Sequence, residues 1–290
     1  MKIAPSELIL NEDGSIYHLQ LKPGEAAEKI ITVGDPGRVE KVAKYMSHIH
    51  VNKKKREFHT ITGEIEGTLI TVISTGIGSD NIDIVFNELD ALFNIDFETQ
   101  MIKEEFTPLT FFRLGTSGGM QPDIDVDSYV ASEYGVGLEG LVHYYDYKAE
   151  GDSADLELHI RNAIKDRLPK IYPYAAATDP SLIDAFPSDF IRGITLTMGG
   201  FYGPQGRKLR IPLQYDEFLN TLQALNWNGK RMTNFEMETG AIYAMSQLLG
   251  HRALSLNVIL ANRALGTFSK DPAQGVEGLI KSALPYICEV

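Results

Sequence analysis

Ile30-Ile31-Thr32-Val33 is a short apolar, β-branched run that enters a glycine turn, Gly34-Asp35-Pro36-Gly37-Arg38. Helical spacing follows at once, with Val39, Val42, Ala43 and Met46 on one face. Strand, glycine turn, helix is the opening unit of an α/β fold, and the same alternation recurs to the end of the chain. Phe58 to Ile65 and Leu69 to Ser74 read as a hairpin turning at Glu66-Gly67. Ile82 to Phe93 has an amphipathic helical period. Leu109 to Leu114 reads as a strand ended by Gly115-Thr116-Ser117-Gly118-Gly119. Further strands are expected at Tyr129 to Tyr134, Tyr172 to Ala177, Gly193 to Met198 and Ala253 to Leu260. Further helices are expected at Leu156 to Leu168, Met237 to Leu249 and Val276 to Ile287, the last broken or kinked by Pro285. Asn94 to Pro108 is acidic and aperiodic, which suits a surface excursion. No repeat, linker or shift of composition divides the 290 residues. One domain over residues 1–290, with a mixed central sheet and flanking helices, is the expected architecture.

A formal net charge of −12 disfavours nucleic acid as a partner unless basic residues are concentrated locally. The one dense basic run is Lys53-Lys54-Lys55-Arg56, and its lysines read as a solvated face. The single cysteine, Cys288, cannot form an intrachain disulfide, and no Cys/His metal spacing occurs. Met1 to Gly14 carries Glu7, Glu12 and Asp13 and no long apolar run, so neither a secretory signal nor a membrane span is expected. A reducing, cytoplasmic compartment follows.

Ligand groups in open α/β sheets collect at strand ends, where backbone N–H groups face outward. Three such ends carry arginine: Arg38, Arg113 and Arg263. Gly34 to Arg38 is either a plain turn opening a helix or an anion site, in which the helix N-terminus and a guanidinium fork act together. It is neither a P-loop nor a dinucleotide fingerprint, because both glycine patterns are missing. Arg113 lies inside the apolar run Phe111-Phe112-Arg113-Leu114, so it is either ion-paired or meets a ligand anion with Thr116 beside it. Glu236 and Glu238, two apart, either complement a helix N-terminus or hold a diol such as ribose O2′ and O3′. Phe201-Tyr202-Gly203-Pro204-Gln205-Gly206-Arg207 offers an aromatic face beside an amide and a guanidinium, the set a nucleobase needs.

In order along the chain these segments resemble the nucleoside phosphorylase family of the uridine phosphorylase type, from about His18 to Arg263. The set comprises Gly34-Asp35-Pro36-x-Arg38-Val39, Arg56-Glu57-Phe58, Ser74-Thr75-Gly76-Ile77-Gly78, Arg113-x-Gly115-Thr116-Ser117-Gly118, Phe201-Tyr202-x-x-Gln205-x-Arg207, Asn234-x-Glu236-Met237-Glu238 and Asn262-Arg263. No single member is specific; the ordered set is. The resemblance implies a three-layer α/β/α sandwich with a mixed, partly closed central sheet. It implies phosphate held by Gly34, Arg38, Arg113 and Thr116, with Arg56 supplied by a neighbouring subunit. Ribose would be held by Thr116, Met237 and Glu238, with His18 from the neighbour. The base would stack on Phe201 and meet Gln205 and Arg207, with Arg263 closing the pocket at the uracil O4 edge. Arg113, Glu238, Gln205 and Arg207 are the residues expected to carry catalysis. Inorganic phosphate is the co-substrate, and no metal, cofactor or covalent nucleophile is needed. The shared site implies a homo-oligomer, at least a dimer.

Two features point to a pyrimidine, with uridine first and deoxyuridine or thymidine as further candidates. Purine-specific members carry an aspartate where this chain reads Ala261-Asn262-Arg263, and the Gln205 and Arg207 pair is the uracil-reading pattern. A purine nucleoside phosphorylase or a nucleosidase is the alternative within the family, and a non-catalytic nucleoside-binding relative is the alternative outside catalysis. A nucleosidase has no need of Arg38, Arg56 and Arg113. Glu57 and Ile77 match two positions of the potassium site that bacterial members carry between subunits, but Asn81 stands where those have serine. Leu138 to Tyr147, rich in tyrosine, has no counterpart in that pattern.

Overall fold

In the computed structural model, which describes residues 2–215 and 218–290, strands and helices alternate as the periodicity predicts. The first half holds β1 (Lys29–Val33), α1 (Pro36–Ala43), β2 (His48–Lys55), β3 (Phe58–Ile65), β4 (Thr68–Ser74), α2 (Ser79–Asn94), β5 (Ile95–Asp96), β6 (Met101–Ile102) and β7 (Thr110–Gly119). After it come β8 (Tyr129–Gly137), α3 (Gly151–Ile164), β9 (Tyr174–Ala177), α4 (Pro180–Asp184) and β10 (Ile191–Thr197). The chain closes with α5 (Phe218–Gln223), β11 (Asn226–Trp227), β12 (Lys230–Glu236), α6 (Thr239–Leu249), β13 (Arg252–Asn262), β14 (Thr267–Phe268) and α7 (Pro272–Glu289).

The main sheet runs β11-β12-β10-β8-β13-β7-β1-β4-β3-β2. It is mixed: β1 pairs in parallel with β4 and β7, β13 is parallel to β7 but antiparallel to β8, and β2, β3 and β4 form an antiparallel meander. β12 also pairs antiparallel with the end of β7, at Asn234↔Gly119 and Phe235↔Gly118. That pairing joins β12, β10, β8, β13 and β7 into a ring, the partly closed portion of the sheet.

Side-chain alternation along the central strands builds two cores. Ile30, Ile73 and Phe111 face α2 and α6, where Ile82, Phe86 and Ile242 meet them. Their neighbours Ile31, Val72 and Phe112 face α1 and α7, against Val39, Val42 and Ile280. Helices on both faces make the three-layer sandwich. A third core sits where α3 and α5 cover β8, β10 and β12, with Leu156, Ile160 and Leu222 on Val136, Leu196 and Phe235.

Four expectations need correction. Gly115 to Gly119 is not a turn, because β7 stays extended through it. The glycines are there for close approach: a Cβ on Gly118 would lie 2.9 Å from the Phe235 ring. The helix expected from Met237 starts at Thr239, and Asn234 to Glu236 belong to β12, whose polar KRMTNFE run hides its buried character. Pro285 does not break α7, which continues to Glu289. Pro285 and Lys281, the residue whose carbonyl it leaves free, are both exposed, so that acceptor is open to water. The lysine run is an edge strand, β2, and only Lys54 is a fully solvated member. Lys53 pairs with Glu25 at 2.6 Å, and Lys55 donates to the Tyr17 carbonyl with its ammonium 4.9 Å from the Tyr17 ring centre. The two fasten the N-terminal segment to the sheet.

The Asn94 to Pro108 stretch is exposed for most of its length and carries only the β5–β6 ladder. Leu138 to Tyr147 contains a single 3-10 turn, Leu141–Tyr144, anchored where Tyr147 donates to the Ala175 carbonyl at 2.8 Å. No helix among the described residues is long and apolar enough to cross a membrane.

Candidate active site

The C-terminal ends of β1, β4 and β12, together with β7, β13 and the segment Phe201 to Arg207, open onto a cavity of about 850 Å³. Nine of the twelve residues to which the resemblance gives a phosphate, ribose or base role line it: Gly34, Arg38, Arg113, Thr116, Phe201, Gln205, Arg207, Met237 and Glu238.

Its floor is an ionic cluster. Arg113 projects from β7 and is buried, with 6% of its surface exposed. Its Nη2 contacts Glu236 at 3.1 Å and donates to Glu238, while its Nη1 donates to Asn257 Oδ1 at 2.9 Å. Burial opposes the charge of Arg113, but Glu236 and Glu238 outweigh it and hold the guanidinium pKa up. The two carboxylates divide the work that the sequence left open between them. Glu236, at the end of β12, accepts from Thr197 Oγ1 at 2.8 Å and from the backbone N–H groups of Glu238 and Thr239 at 3.0 and 2.9 Å. It caps α6, and burial raises its pKa against the pull of Arg113. Glu238, the residue at the cap position, makes no side-chain bond to the helix. Its Oε1 accepts from the Gly78 N–H at 2.7 Å, and its second oxygen from Arg113. Each oxygen keeps a lone pair for a hydroxyl donor.

Arg38 differs from Arg113 in its company. Its Nη1 donates to the Leu114 carbonyl at 3.0 Å, and no carboxylate among the described residues pairs with it. Burial and then the nearby Arg113 lower its pKa to about 10, so it stays cationic at neutral pH. Asp35 caps α1 by accepting from the Gly37 N–H at 3.0 Å, and Pro36 opens the helix. A half-buried cation without a carboxylate partner among the described residues, beside a helix N-terminus, is an anion site in physical terms.

The opposite wall is the turn from Phe201 to Arg207. The Arg207 guanidinium lies 3.8 Å over the Phe201 ring centre, and it donates to the Phe201 carbonyl at 2.7 Å and to Gln205 Oε1. Burial, then Arg263, lowers the Arg207 pKa. Half of Phe201 remains exposed, whereas Gln205 is buried.

The other three residues lie elsewhere. Arg263 does not line the cavity: its guanidinium reaches the Gln205 and Gly206 carbonyls at 3.4 Å from behind the turn. Those acceptors draw it there, so it braces the base-side wall from outside. Arg56 is exposed in the two-residue connection of the β2–β3 hairpin, with φ of +54°. His18 sits on Glu88, with Nδ1 at 2.6 Å from Oε1. Neither reaches this protomer's own cavity. Conversely, the cavity includes Phe235, Leu260 and Phe268, which sequence reasoning did not single out. Phe268 comes from the β13–β14 hairpin, a two-residue pairing that leaves no periodic trace in sequence.

The model of the phosphorylase superfamily matches residues 28–277. The chain belongs to the phosphorylase superfamily. A uridine phosphorylase of Thermococcus kodakarensis is 30% identical over 272 residues, covering 93% of this chain and 85% of that protein. The crystal structure of a Trypanosoma brucei nucleoside phosphorylase, described as showing uridine phosphorylase activity, superposes with a TM-score of 0.88 at 29% identity over 98% of this chain and all of that one. A guanosine phosphorylase of Halorubrum lacusprofundi is 25% identical, covering 86% of this chain and 84% of its own. The superfamily match spans all of the cavity-lining segments, from β1 to the β13–β14 hairpin.

Proposed function

We propose that the chain catalyses the phosphate-dependent cleavage of uridine to uracil and ribose 1-phosphate, in the salvage of pyrimidines. What carries this reading is Arg38, a cation with no carboxylate partner, on the same floor as the Arg113–Glu238 pair. Phosphate has its place on Arg38, with Gly34, Thr116 and the far side of Arg113 around it. Glu238 accepts from the ribose hydroxyls, and Met237 covers the sugar. Phosphate oxygen then forms a bond to C1′ as the C1′–N1 bond breaks, and the bonding pair leaves with the base. Negative charge develops on the uracil, where Arg207 and Gln205 face it across the Phe201 ring. Preorganised charge of this kind is usually the largest catalytic contribution, and fixing both reactants makes the attack effectively intramolecular.

The Thermococcus and Trypanosoma relatives support uridine over a purine, and so does Asn262. Its amide nitrogen donates to the Gln121 and Ile124 carbonyls at 2.8 and 2.7 Å, and its oxygen accepts from the Leu265 N–H at 3.0 Å. It is turned out of the cavity, and Ala261 lines the wall in its stead. The Ala261 methyl offers no polar side-chain group to a purine N7. An interface potassium ion has no step in this scheme.

His18 and Arg56 are assigned to the site of a second subunit, which makes the working unit at least a dimer. Glu88 Oε1 accepts a hydrogen bond from the Nδ1–H tautomer of His18, whose Nε2 is then an acceptor for a sugar hydroxyl. His18→Ala is therefore expected to raise KM for uridine more than KM for phosphate, and an equal rise in both counts against the assignment. A cytoplasmic setting agrees with the unpaired Cys288 thiol.

The test is release of free base from uridine, thymidine and inosine, each with and without inorganic phosphate. Uracil release that requires phosphate supports the proposal. Hypoxanthine release overturns the base assignment, and base release without phosphate overturns the role of Arg38.

A further inference from the structure

Asn257 is fully buried on β13, directly across from Gly115 of β7, and it does not line the cavity. Its amide nevertheless completes the setting of Arg113. A guanidinium is a donor only, so the atom facing Arg113 Nη1 at 2.9 Å is the amide oxygen. The amide nitrogen donates to Ser255 Oγ at 3.1 Å, and Ser255 Oγ shares a hydrogen bond with Thr239 Oγ1 at 2.8 Å. Thr239 is the first residue of α6, and its N–H is held by Glu236. One closed polar chain thus runs from the Arg113 fork to the helix that begins beside Glu238.

The chemistry of the amide decides what it does. Two carboxylates already face Nη2, more negative charge than one guanidinium carries. A third carboxylate at Nη1 would enlarge that excess and repel an incoming anion further. An apolar side chain would leave a buried N–H without a partner and the fork free to turn. A neutral oxygen fixes the plane of the guanidinium and adds no charge.

We infer that Asn257 is a positioning residue: it orients the Arg113 guanidinium for phosphate without adding negative charge beside it, while touching no substrate. The inference rests on the assignment of Arg113 to phosphate made above. Its consequence is selective, acting on the anion subsite and sparing the base subsite across the cavity.

The experiment uses the purified full chain and reads phosphate affinity by calorimetry alongside KM for phosphate and uridine and the melting temperature. Two variants separate the two properties of the amide. Asn257→Asp keeps an acceptor and adds charge; Asn257→Leu removes the acceptor and adds none. In both, phosphate Kd and KM are expected to rise by about tenfold or more, with KM for uridine changed far less, because a misplaced group costs up to about 10²-fold. A purely structural asparagine would lower the melting temperature and leave the phosphate Kd of the folded protein unchanged, and that result overturns the inference. If Asn257→Leu does not fold, Asn257→Asp decides alone. Arg113→Ala, measured in parallel, separates the two levels. Phosphate affinity that survives in Arg113→Ala removes the basis in Arg113. Affinity lost there but unchanged in both Asn257 variants overturns only the role of Asn257. The calorimetric measurement holds whichever nucleoside proves to be the substrate.

Discussion

Arg113→Ala is expected to lower kcat/KM by at least about 10³-fold and to cost the fold stability in the same step. The two losses have one origin. Arg113 is the shared counter-ion of Glu236 and Glu238, and both carboxylates are buried. Removing one partner of a buried ion pair leaves an uncompensated charge and typically costs about 3–5 kcal/mol. The deficit has a pH signature. Burial already raises the Glu236 pKa, and without Arg113 only the hydrogen bonds from Thr239 and Thr197 oppose that rise. A carboxyl whose folded pKa lies above its unfolded value binds more protons in the native state between the two. The contribution of Glu236 to stability is therefore present in acid and lost as pH rises through the folded pKa. The melting temperature of Arg113→Ala is expected to fall further below that of the unmodified protein at about pH 8 than at about pH 5. A uniform deficit across that range would remove the ionic account of the floor. Turnover within about tenfold of the unmodified protein, on material that is folded, would remove Arg113 from the reaction.

The segments that carry the chemistry were legible in the sequence because backbone requirements mark them. Gly34 to Arg38 announces a strand end, a turn and a helix start, and the structure has all three there. The ordered motifs pointed to nine of the residues that line one cavity. Other features lacked a local signal. The even distribution of strands gave no hint that β12 would swing back to pair with the end of β7 and close the ring, since that pairing joins residues more than a hundred positions apart. Arg263 was expected at the base edge, and its departure depends on two carbonyls that the 3-10 turn at Gly203–Gln205 leaves turned toward it. Glu236 and Glu238 could not be told apart by spacing. Only the start of α6 at Thr239 shows that one carboxylate serves the helix and the other faces the cavity. Asn257 was invisible because a buried asparagine in an apolar strand has no pattern, and its meaning comes wholly from its partners.

Gly115→Ala tests the floor without deleting any functional group. Gly115 sits in extended backbone on β7, so alanine meets no conformational obstacle there. The obstacle is spatial: an added Cβ would stand inside the Arg113 guanidinium and 2.5 Å from Asn257 Oδ1. The guanidinium is the far end of a flexible side chain, and the fold can relieve the clash by turning it away. Relief then takes the fork off Asn257 and shifts it against Glu236 and Glu238, with all charges still present and still close. Stability is expected to fall by about 1–3 kcal/mol, the usual cost of overpacking, which is less than in Arg113→Ala. Catalysis is expected to suffer nearly as much, by about 10²-fold or more in kcat/KM, because the displaced group is the one that must meet the phosphate. Paired melting curves and steady-state kinetics on the two variants give the comparison. A mild melting shift with a large kinetic loss means that the orientation of Arg113, and not its charge alone, is what β7 is built to hold. A Gly115→Ala protein as active as the unmodified one would show that the fork can find phosphate from another rotamer, and the glycine would then be explained by packing.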